Sequence, residues 1–381
     1  MIRGKLALIF CLVVPLQSAL GADTPEIPPP PTIEARAYIL IDAKSGRVLA
    51  EQNADDRLEP ASLTKIMTAY ITFQELSAHG LELDDMVTIS PEASKSEGSR
   101  MFAEVGTAIA VENLLKGMII QSGNDASIAL AERISGTEPD FAMRMNRTAE
   151  KLGMKNTHYE NSMGLPNPSH FASARDMAIL SRALIEEFPD YYKWHAIKEF
   201  TFNNIKQQNR NRLLWIDPTV DGVKTGHTQG AGYCLVASAV RNDMRLISVV
   251  MGAKSDQARA ATNAELLNYG FRWYESKTLY KANTMLSEAR VWKGTESKVA
   301  VGLVKDFSVT YPRGQYDRLK ATMEIDNKSI APVQAGNRLG VVKVSLNDEP
   351  LAQQDLVALE SVEQGNLLKR LFDELAMKIQ K

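Results

Sequence analysis

The sequence predicts an α+β fold in which helices flank an antiparallel sheet and a helical lobe is inserted between early and late strands. A small all-β domain and a C-terminal amphipathic helix are expected to follow. Three observations predict this order. Strand-like apolar runs lie near both ends of residues 37–275, whereas helical spacing dominates between them. Apolar and polar residues then alternate over residues 276–362. Finally, residues 363–381 place their apolar side chains on one helical face.

The N-terminus has the layout of a secretory signal peptide. Arg3 and Lys5 precede an apolar run from Leu6 to Val14, and small residues follow as far as Ala22. This run is too short and wrongly flanked to span a bilayer permanently. We therefore predict a cleaved signal over residues 1–22 and an exported protein; a buried N-terminal strand is the alternative.

Residues 23–36 are rich in proline and predict a semi-rigid, extended leader that lifts the domain off the secretion machinery. The domain itself is expected over residues 37–275 and begins with a hairpin of two apolar runs, Ala37–Asp42 and Arg47–Glu51. From Ser62 the apolar spacing becomes helical, and most of the chain up to Ala196 keeps this character.

The predicted strands return late in this domain, and a helix follows them. Tyr233–Val240 and Leu246–Met251 are expected as strands, and Ala260–Phe271 as a helix. In the β domain we predict strands at Ser297–Val304, Leu319–Ile325 and Arg338–Ser345.

The C-terminal segment predicts an amphipathic helix that carries a small excess of positive charge. Leu371, Phe372 and Leu375 share its apolar face, and Lys378 lies among its polar positions. Such a helix at a free terminus suits the interface of a membrane. A helix that packs on its own domain or dimerises is the alternative.

Composition excludes several classes of function. The formal net charge of −2 argues against nucleic acid as the main partner. Removal of the signal leaves Cys234 as the only thiol, so the mature chain forms no internal disulfide. The five histidines include no HExxH pair, and the thiols offer no zinc-type spacing. We expect neither a metal nor another cofactor.

Three short motifs carry the candidate chemistry: S-x-x-K from Ser62 to Lys65, S-x-N from Ser122 to Asn124, and K-T-G over 224–226. Each is weak alone, but their order matters. The first opens a helix after an early hairpin, the second lies in the helical lobe, and the third precedes the late strands. This set occurs in penicillin-binding proteins and class A β-lactamases, and here Gly123 stands where that set has aspartate.

These residues suit nucleophilic catalysis. A serine hydroxyl needs a base, and Lys65, one helical turn after Ser62, can reach it. An ordinary lysine pKa near 10.4 leaves about one molecule in a few thousand neutral at pH 7. Burial and a second cation lower such a pKa, and we expect that cation to be Lys224. Ser122 is expected to relay a proton to the leaving amine, and Asn124 to hold the peptide amide.

The K-T-G segment is expected to bind the substrate along a strand edge. Lys224 and Thr225 can bind the terminal carboxylate while the strand pairs with an extended peptide. Backbone N–H groups of Ser62 and His227 are expected to form the oxyanion hole. Gly226, between Thr225 and His227, is expected to belong to the same substrate-binding segment.

The chain resembles low-molecular-mass penicillin-binding proteins of the D-alanyl-D-alanine carboxypeptidase type over Tyr38 to Trp273. The segments that carry the resemblance are Glu59–Thr68, Ser122–Ala126, Ser173–Ala178, Val220–Thr228 and Gly230–Tyr233. It implies a β-lactamase-like transpeptidase fold, peptidoglycan stem peptides as substrate and inhibition by β-lactam antibiotics such as penicillin. It also implies a periplasmic location, attached to the outer face of the inner membrane by the C-terminal helix, and a role in cell-wall remodelling and cell shape. Arg259 falls where the family places an arginine near the substrate carboxylate, and Arg210 lies near the same cleft by analogy.

One position departs from the family pattern, and three rival functions remain open at this point. Met163 stands where many relatives carry a histidine, which puts the rate of deacylation in question, and His170 lies slightly later. A β-lactamase shares the acylation residues, but residues 161–173 offer no clear equivalent of its loop glutamate. The second rival is a D,D-endopeptidase of the same fold, and the third is a weakly active wall-binding scaffold.

Overall fold

The computed structural model describes residues 27–379, so the predicted signal peptide lies outside the described residues. The strands of the first domain are β1 (Ala37–Asp42), β2 (Val48–Gln52), β3 (Met86–Thr88), β4 (Ala108–Ala110), β5 (Glu199–Phe202), β6 (Ile205–Gln208), β7 (Val220–Thr228), β8 (Gly232–Arg241) and β9 (Met244–Ala253). Its helices are α1 (Lys65–Ser77), α2 (Pro91–Ser94), α3 (Val111–Lys116), α4 (Asn124–Ser135), α5 (Glu138–Leu152), α6 (Ala174–Glu187), α7 (Pro189–Tyr192), α8 (Leu213–Ile216) and α9 (Asp256–Trp273).

The central sheet joins the two ends of this domain. Its order is β2-β1-β9-β8-β7, and all its neighbours are antiparallel. Alternate residues face opposite sides, as a strand requires. Ile39 and Val249 pack toward the helical lobe, whereas Leu40 and Val250 pack toward α9. The predicted fold class is confirmed, because early and late strands form one sheet and the helical lobe lies between them in sequence.

Helix α1 runs through the centre of the molecule. Its residues are buried continuously from Lys65 to Phe73, and a helix that is apolar nearly all round belongs in a core. Lys65 lies in the first turn of this buried helix, so its side chain is largely shielded from water.

The proline-rich segment packs on the domain rather than projecting from it. The Tyr269 hydroxyl donates a hydrogen bond to the carbonyl oxygen of Pro28 (3.0 Å), and Ile33 is buried in the core on the α9 side of the sheet. Residues 27–34 of the predicted leader therefore lie against the domain, which differs from a leader that lifts the domain off the secretion machinery. Ile27 and Ile33 explain the difference, because the apolar residues among the prolines find core surface to cover.

The second domain is all-β and ends in a helix. Its elements are β10 (Tyr274–Tyr280), β11 (Ser287–Trp292), β12 (Lys298–Gly302), β13 (Phe307–Pro312), β14 (Leu319–Ile325), β15 (Ser329–Ile330), β16 (Arg338–Leu346), β17 (Glu349–Ala358) and α10 (Leu367–Ile379). The larger sheet has the order β14-β16-β17-β12-β11-β15, while β10 pairs with β13. The boundary predicted between residues 275 and 276 falls inside β10.

The C-terminal helix α10 contacts the β domain through polar groups. The backbone N–H of Lys293 donates to Asp373 Oδ2 (2.6 Å), and Lys369 Nζ donates to the Thr295 carbonyl oxygen (3.2 Å). Its large apolar side chains point away, and Leu367 and Phe372 are 73% and 72% exposed. Within residues 27–379, none of the helices combines the length and apolar composition needed to cross a bilayer.

Candidate active site

The candidate nucleophile lies in a tight turn before α1. Ser62 belongs to the 3-10 turn Ala61–Thr64, and Ala61 has a left-handed backbone (φ 48°) that bends the chain sharply. Ser62 is partly exposed and lines a cleft of about 1000 Å³. The turn therefore presents the Ser62 hydroxyl to the cleft at the N-terminus of a buried helix, where the helix dipole favours negative charge.

Lys65 is buried beneath this serine and has three hydrogen-bond acceptors. Its Nζ donates to Ser62 Oγ (3.1 Å), to Asn124 Oδ1 (2.7 Å) and to the carbonyl oxygen of Met163 (2.7 Å). An ammonium group has three donors, so each one has a partner. The contacts hold the amine directly beside the serine hydroxyl, in the position that a general base requires.

The pKa of Lys65 is lowered from 10.5 to about 7, chiefly by burial and then by the positive charge of Arg210. The negative charges of Asp125 and Glu138 oppose this change. Near neutral pH a large fraction of Lys65 is therefore uncharged and able to accept a proton. Arg210 is a cation that the sequence reasoning did not connect with this pKa, and it acts beside Lys224, because the buried Lys65 and Lys224 ammonium groups repel each other. Lys224 is itself fully buried, and burial, followed by Lys65, Arg210 and Arg259, holds its own pKa well below the ordinary value.

Ser122 has an unusual backbone and a buried hydroxyl. It lies between a π-helical turn, Gly117–Gln121, and α4, and its left-handed conformation (φ 70°) is uncommon for serine. Its Oγ is buried and has no hydrogen-bond partner among the described residues, although the residue lines the cleft. A serine with a left-handed backbone and a buried hydroxyl without a hydrogen-bond partner both lower the stability of the fold. Such residues concentrate at functional sites.

Asn124 joins the base to a loop on the far wall of the cleft. Its Oδ1 accepts from Lys65, and its Nδ2 donates to the carbonyl oxygen of Glu97 (2.5 Å). The next residue, Asp125, accepts from the backbone N–H groups of Met101 and Ala103 (both 3.0 Å). Each polar atom of Asn124 thus makes one bond within the protein, and its second acceptor and donor positions remain for the predicted contact with the peptide amide.

The K-T-G strand passes very close to the nucleophile turn. A β-carbon at Gly226 would lie 2.9 Å from the Pro60 carbonyl oxygen and 3.2 Å from the backbone nitrogens of Ser62 and Leu63. Only glycine permits this approach. β7 is the edge strand of the sheet, so among the described strands it has no partner on its other side, and such an edge suits pairing with an extended peptide.

The neighbours of Gly226 on β7 line different parts of the cleft. Thr225 is buried and lines the cleft, and Lys224 Nζ donates to the Thr225 carbonyl oxygen (3.0 Å). His227 is exposed, and its ring centroid lies 4.1 Å from that of Tyr233. The strand thus offers a hydroxyl and a backbone to the cleft, with an aromatic pair at its end.

One end of the cleft is strongly cationic. Arg259 is buried and donates to the carbonyl oxygens of Gly226 (3.0 Å) and Cys234 (3.4 Å), and it forms an ion pair with Asp256. Arg210 and Arg212 line the same end, and Arg212 also pairs with Asp256 (3.3 Å). Three arginines around one carboxylate leave excess positive charge, which suits a substrate with a free carboxylate.

Met163 supplies a backbone acceptor rather than a titrating side chain. Its carbonyl oxygen binds Lys65, and its side chain is buried in the core. His170 does not take the place of a histidine there. Its Nδ1 accepts from the backbone N–H of Glu160 (3.1 Å), so its Nε2 donates to Thr64 Oγ1 (2.9 Å). Burial, followed by the nearby charges, lowers the pKa of His170 to about 4, so it is neutral.

The structure brings all nine predicted site residues together. Those that line the cleft are Ser62, Ser122, Thr225, Gly226, His227 and Arg259. Lys65, Asn124 and Lys224 lie buried behind them. Sequence reasoning missed Asp125, Asp256 and Glu138; Asp125 follows S-x-N directly, but the other two lie in no recognisable motif. Among residues 27–379, no group of three or more His, Cys, Asp or Glu side chains is arranged to hold a metal ion.

Comparison with known families gives two matches along the chain. The D-alanyl-D-alanine carboxypeptidase model (peptidase S11) matches residues 24–255, and that of the penicillin-binding protein 5 C-terminal domain matches residues 274–364. The chain is 47% identical over 356 residues to the D-alanyl-D-alanine carboxypeptidase DacC of Escherichia coli K12, which covers 91% of this chain and 89% of DacC. The two matched regions are separated by α9.

Solved structures agree with these matches. Penicillin-binding protein 5 from Haemophilus influenzae superposes with a TM-score of 0.83 at 41% identity, over 88% of this chain and 99% of that one. Penicillin-binding protein D2 from Listeria monocytogenes, solved in an ampicillin-bound form, has a TM-score of 0.59 at 30% identity, over 64% of this chain and 100% of its own. The first spans both domains, and the second is shorter than this chain.

Proposed function

The chain belongs to the D-alanyl-D-alanine carboxypeptidase family and is a penicillin-binding enzyme of that type; from this premise we propose that Ser62 is its nucleophile. The contact between Lys65 Nζ and Ser62 Oγ carries this proposal. A base with a pKa of about 7 beside a serine that opens into the cleft is what covalent catalysis needs. The reaction is removal of the terminal D-alanine from a peptidoglycan stem peptide.

In acylation, neutral Lys65 takes the Ser62 proton as Oγ attacks the carbonyl carbon of the penultimate residue. The backbone N–H groups of Ser62 and His227 stabilise the oxyanion. Support comes from Gly226, which lets the strand and the nucleophile turn approach closely. Collapse of the tetrahedral intermediate breaks the C–N bond and leaves an ester on Ser62.

The leaving D-alanine needs a proton on its amine and a partner for its carboxylate. Ser122, whose buried hydroxyl has no partner within the described residues, passes the proton from Lys65 to the amine. Thr225 and Arg259 bind the carboxylate at the cationic end of the cleft, and the negative charge of the bound carboxylate favours the protonated form of Lys224 beneath Thr225. Asn124 holds Lys65 in place and orients the substrate amide beside it. Penicillin acylates the same serine by opening its lactam ring.

Hydrolysis of the ester completes the cycle. Lys65 keeps its contacts with Asn124 and Met163 after Ser62 is acylated, and it activates the water. The histidine that many relatives place at residue 163 is absent, so the lysine acts without it. We expect acylation to be little affected by this difference and deacylation to depend on Lys65 alone.

We further propose that the protein is exported and attached to the periplasmic face of the inner membrane, where it remodels the wall and influences cell shape. The signal-like residues 1–22 and the exposed apolar face of α10 support this. The test is sedimentation of the protein without residues 1–22 with vesicles of phosphatidylethanolamine and phosphatidylglycerol. Leu371→Glu should reduce binding strongly, while Lys378→Gln, which keeps the apolar face, should reduce it little. Equal binding by Leu371→Glu would contradict the proposal.

The catalytic proposal is tested with a synthetic peptide ending in D-Ala-D-Ala. Released D-alanine is measured for the wild type, for Ser62→Ala and for Ser287→Ala, a serine of β11 in the second domain. Release should disappear only in Ser62→Ala. Intact release in that variant, or none from folded wild type, would overturn the assignment.

A further inference from the structure

The loop that carries Met163 is held by a carboxylate from α5. Glu138 Oε1 accepts hydrogen bonds from the backbone N–H (3.0 Å) and the hydroxyl (2.7 Å) of Ser162. Ser162 is fully buried, and its carbonyl oxygen accepts from Thr68 Oγ1 (2.6 Å) on α1. The residue before Met163 is therefore fixed from two helices at once.

The next residues of the loop are fixed from within. Asn161 Oδ1 accepts from the backbone nitrogens of Met163 (3.3 Å), Gly164 (2.7 Å) and Leu165 (3.2 Å). A β-carbon at Gly164 would collide with the carbonyl of Ala61, so the loop lies directly on the nucleophile turn. The direction of the Met163 carbonyl, which binds Lys65, thus depends on where this loop sits.

We propose that Glu138 is a positioning residue for the general base: its carboxylate fixes the loop whose Met163 carbonyl binds Lys65, and its negative charge acts on the Lys65 ammonium. The inference deepens the proposed function and rests on Lys65 being the base. No motif includes Glu138, and it makes no contact with the substrate cleft. It acts through Ser162 and Met163.

Several charges face Lys65, and Glu138 is one of two carboxylates among them. From α4, Asp125 raises the pKa of Lys65, as Glu138 does from α5. Arg210 lowers it, and the buried Lys224 of β7 and His170 are the other titratable neighbours. Removing the charge of Glu138 should therefore lower the pKa of Lys65 further. The acid limb, which is the part of the pH–rate profile where the acylation rate rises as Lys65 loses its proton, should then move to lower pH.

The experiment separates charge from position. Glu138→Gln keeps the length and an acceptor oxygen but removes the charge. Glu138→Asp keeps the charge but is one methylene shorter, so it reaches Ser162 poorly. Asp140→Asn is the matched control, because it removes a carboxylate from the same first turn of α5, where Asp140 is exposed and accepts from Thr137 Oγ1 (2.6 Å).

Second-order rates of acylation by penicillin are measured from pH 5 to pH 10, a range chosen on either side of the lysine pKa, as are peptide kcat and KM. Glu138→Gln should move the acid limb to lower pH by up to about 1 unit. Glu138→Asp should leave the limb near its wild-type pH and lower kcat about tenfold or more, because small misplacements of catalytic groups are costly. Asp140→Asn should match the wild type in both.

Two results would overturn the proposal: an unmoved acid limb in Glu138→Gln, or an equal movement in Asp140→Asn. If Glu138→Gln does not fold, Ser162→Ala decides. That variant loses one donor to Glu138 while the carboxylate remains, so kcat should fall with the limb in place; unchanged kcat would refute positioning. Turnover that survives Ser62→Ala would instead refute the proposed function.

Discussion

Replacing Gly226 by alanine tests the close approach of β7 to the nucleophile turn. The new β-carbon would lie 2.9 Å from the Pro60 carbonyl oxygen, whereas ordinary contact begins at 3.4 Å, so the strand and turn must separate by about 0.5 Å. It would also lie 3.2 Å from the Ser62 nitrogen, the proposed oxyanion donor. The turn leads directly into the buried helix α1, which cannot shift easily, so the displacement changes the catalytic geometry.

The size of the effect follows from this displacement. A misplacement of 1 Å costs about 100-fold in rate, so half of that corresponds to about tenfold. Overpacking also destabilises by about 1–3 kcal/mol, and in a domain of this size each kcal/mol lowers the melting temperature by about 2–4 °C. The Gly226→Ala protein should therefore fold, melt a few degrees earlier and react with penicillin about ten times more slowly.

The assay is the second-order rate of acylation by a fluorescent penicillin, with thermal melting on the same samples. Gly230→Ala is the control in the same hairpin, since its β-carbon would meet only the end of the flexible Glu59 side chain. It should keep a rate closer to the wild type. A wild-type rate and melting temperature for Gly226→Ala would refute the reasoning, because the strand would then tolerate a side chain against the turn.

Four other outcomes are expected from the site. The acylation rate of the wild type should rise with pH through about 7, because only neutral Lys65 accepts the Ser62 proton. A rate that instead rises near the ordinary lysine pKa of 10.5 would contradict this. Arg210→Gln should move this pH dependence to higher pH, since it removes a cation that lowers the pKa of Lys65. Arg259→Gln should raise KM about 10-fold or more for a peptide with a free carboxylate, but not for its C-terminal amide; an equal change for both would contradict carboxylate binding. Ser122→Ala should lower peptide kcat about 100-fold without affecting the melting temperature strongly, and wild-type turnover would exclude the relay.

Local patterns in the sequence were sufficient to predict the strands and helices that position the site. β1 begins and ends at the predicted residues, and the late strands lie where the apolar runs predicted them. The three motifs also converge as expected. Their chemistry depends on short segments whose conformation is set nearby, such as the turn before α1 and the edge strand β7.

Those local patterns could not predict contacts between segments that are distant in sequence. Lys65 binds the Met163 carbonyl across 98 residues of sequence, and a backbone acceptor carries no signature in residue type. The effect of Arg210 on Lys65 depends likewise on the approach of two residues that are distant in sequence. Apolar residues in the proline-rich segment resembled part of a linker because nothing local shows which core surface they cover.

Three acceptors around Lys65 suit both halves of the proposed reaction. In the free enzyme the ammonium form binds Ser62, Asn124 and Met163. Acylation turns Ser62 Oγ into an ester oxygen, a weaker acceptor, but the other two acceptors are unchanged. They are fixed by α4 and by the loop at residues 161–165, neither of which takes part in bond making. Lys65 therefore stays in place when its first partner is consumed, and a water that replaces the departed amine meets the same base. Because the side chain at residue 163 is apolar, the rate of this second step rests on how firmly Asn124 and the Met163 carbonyl hold the lysine.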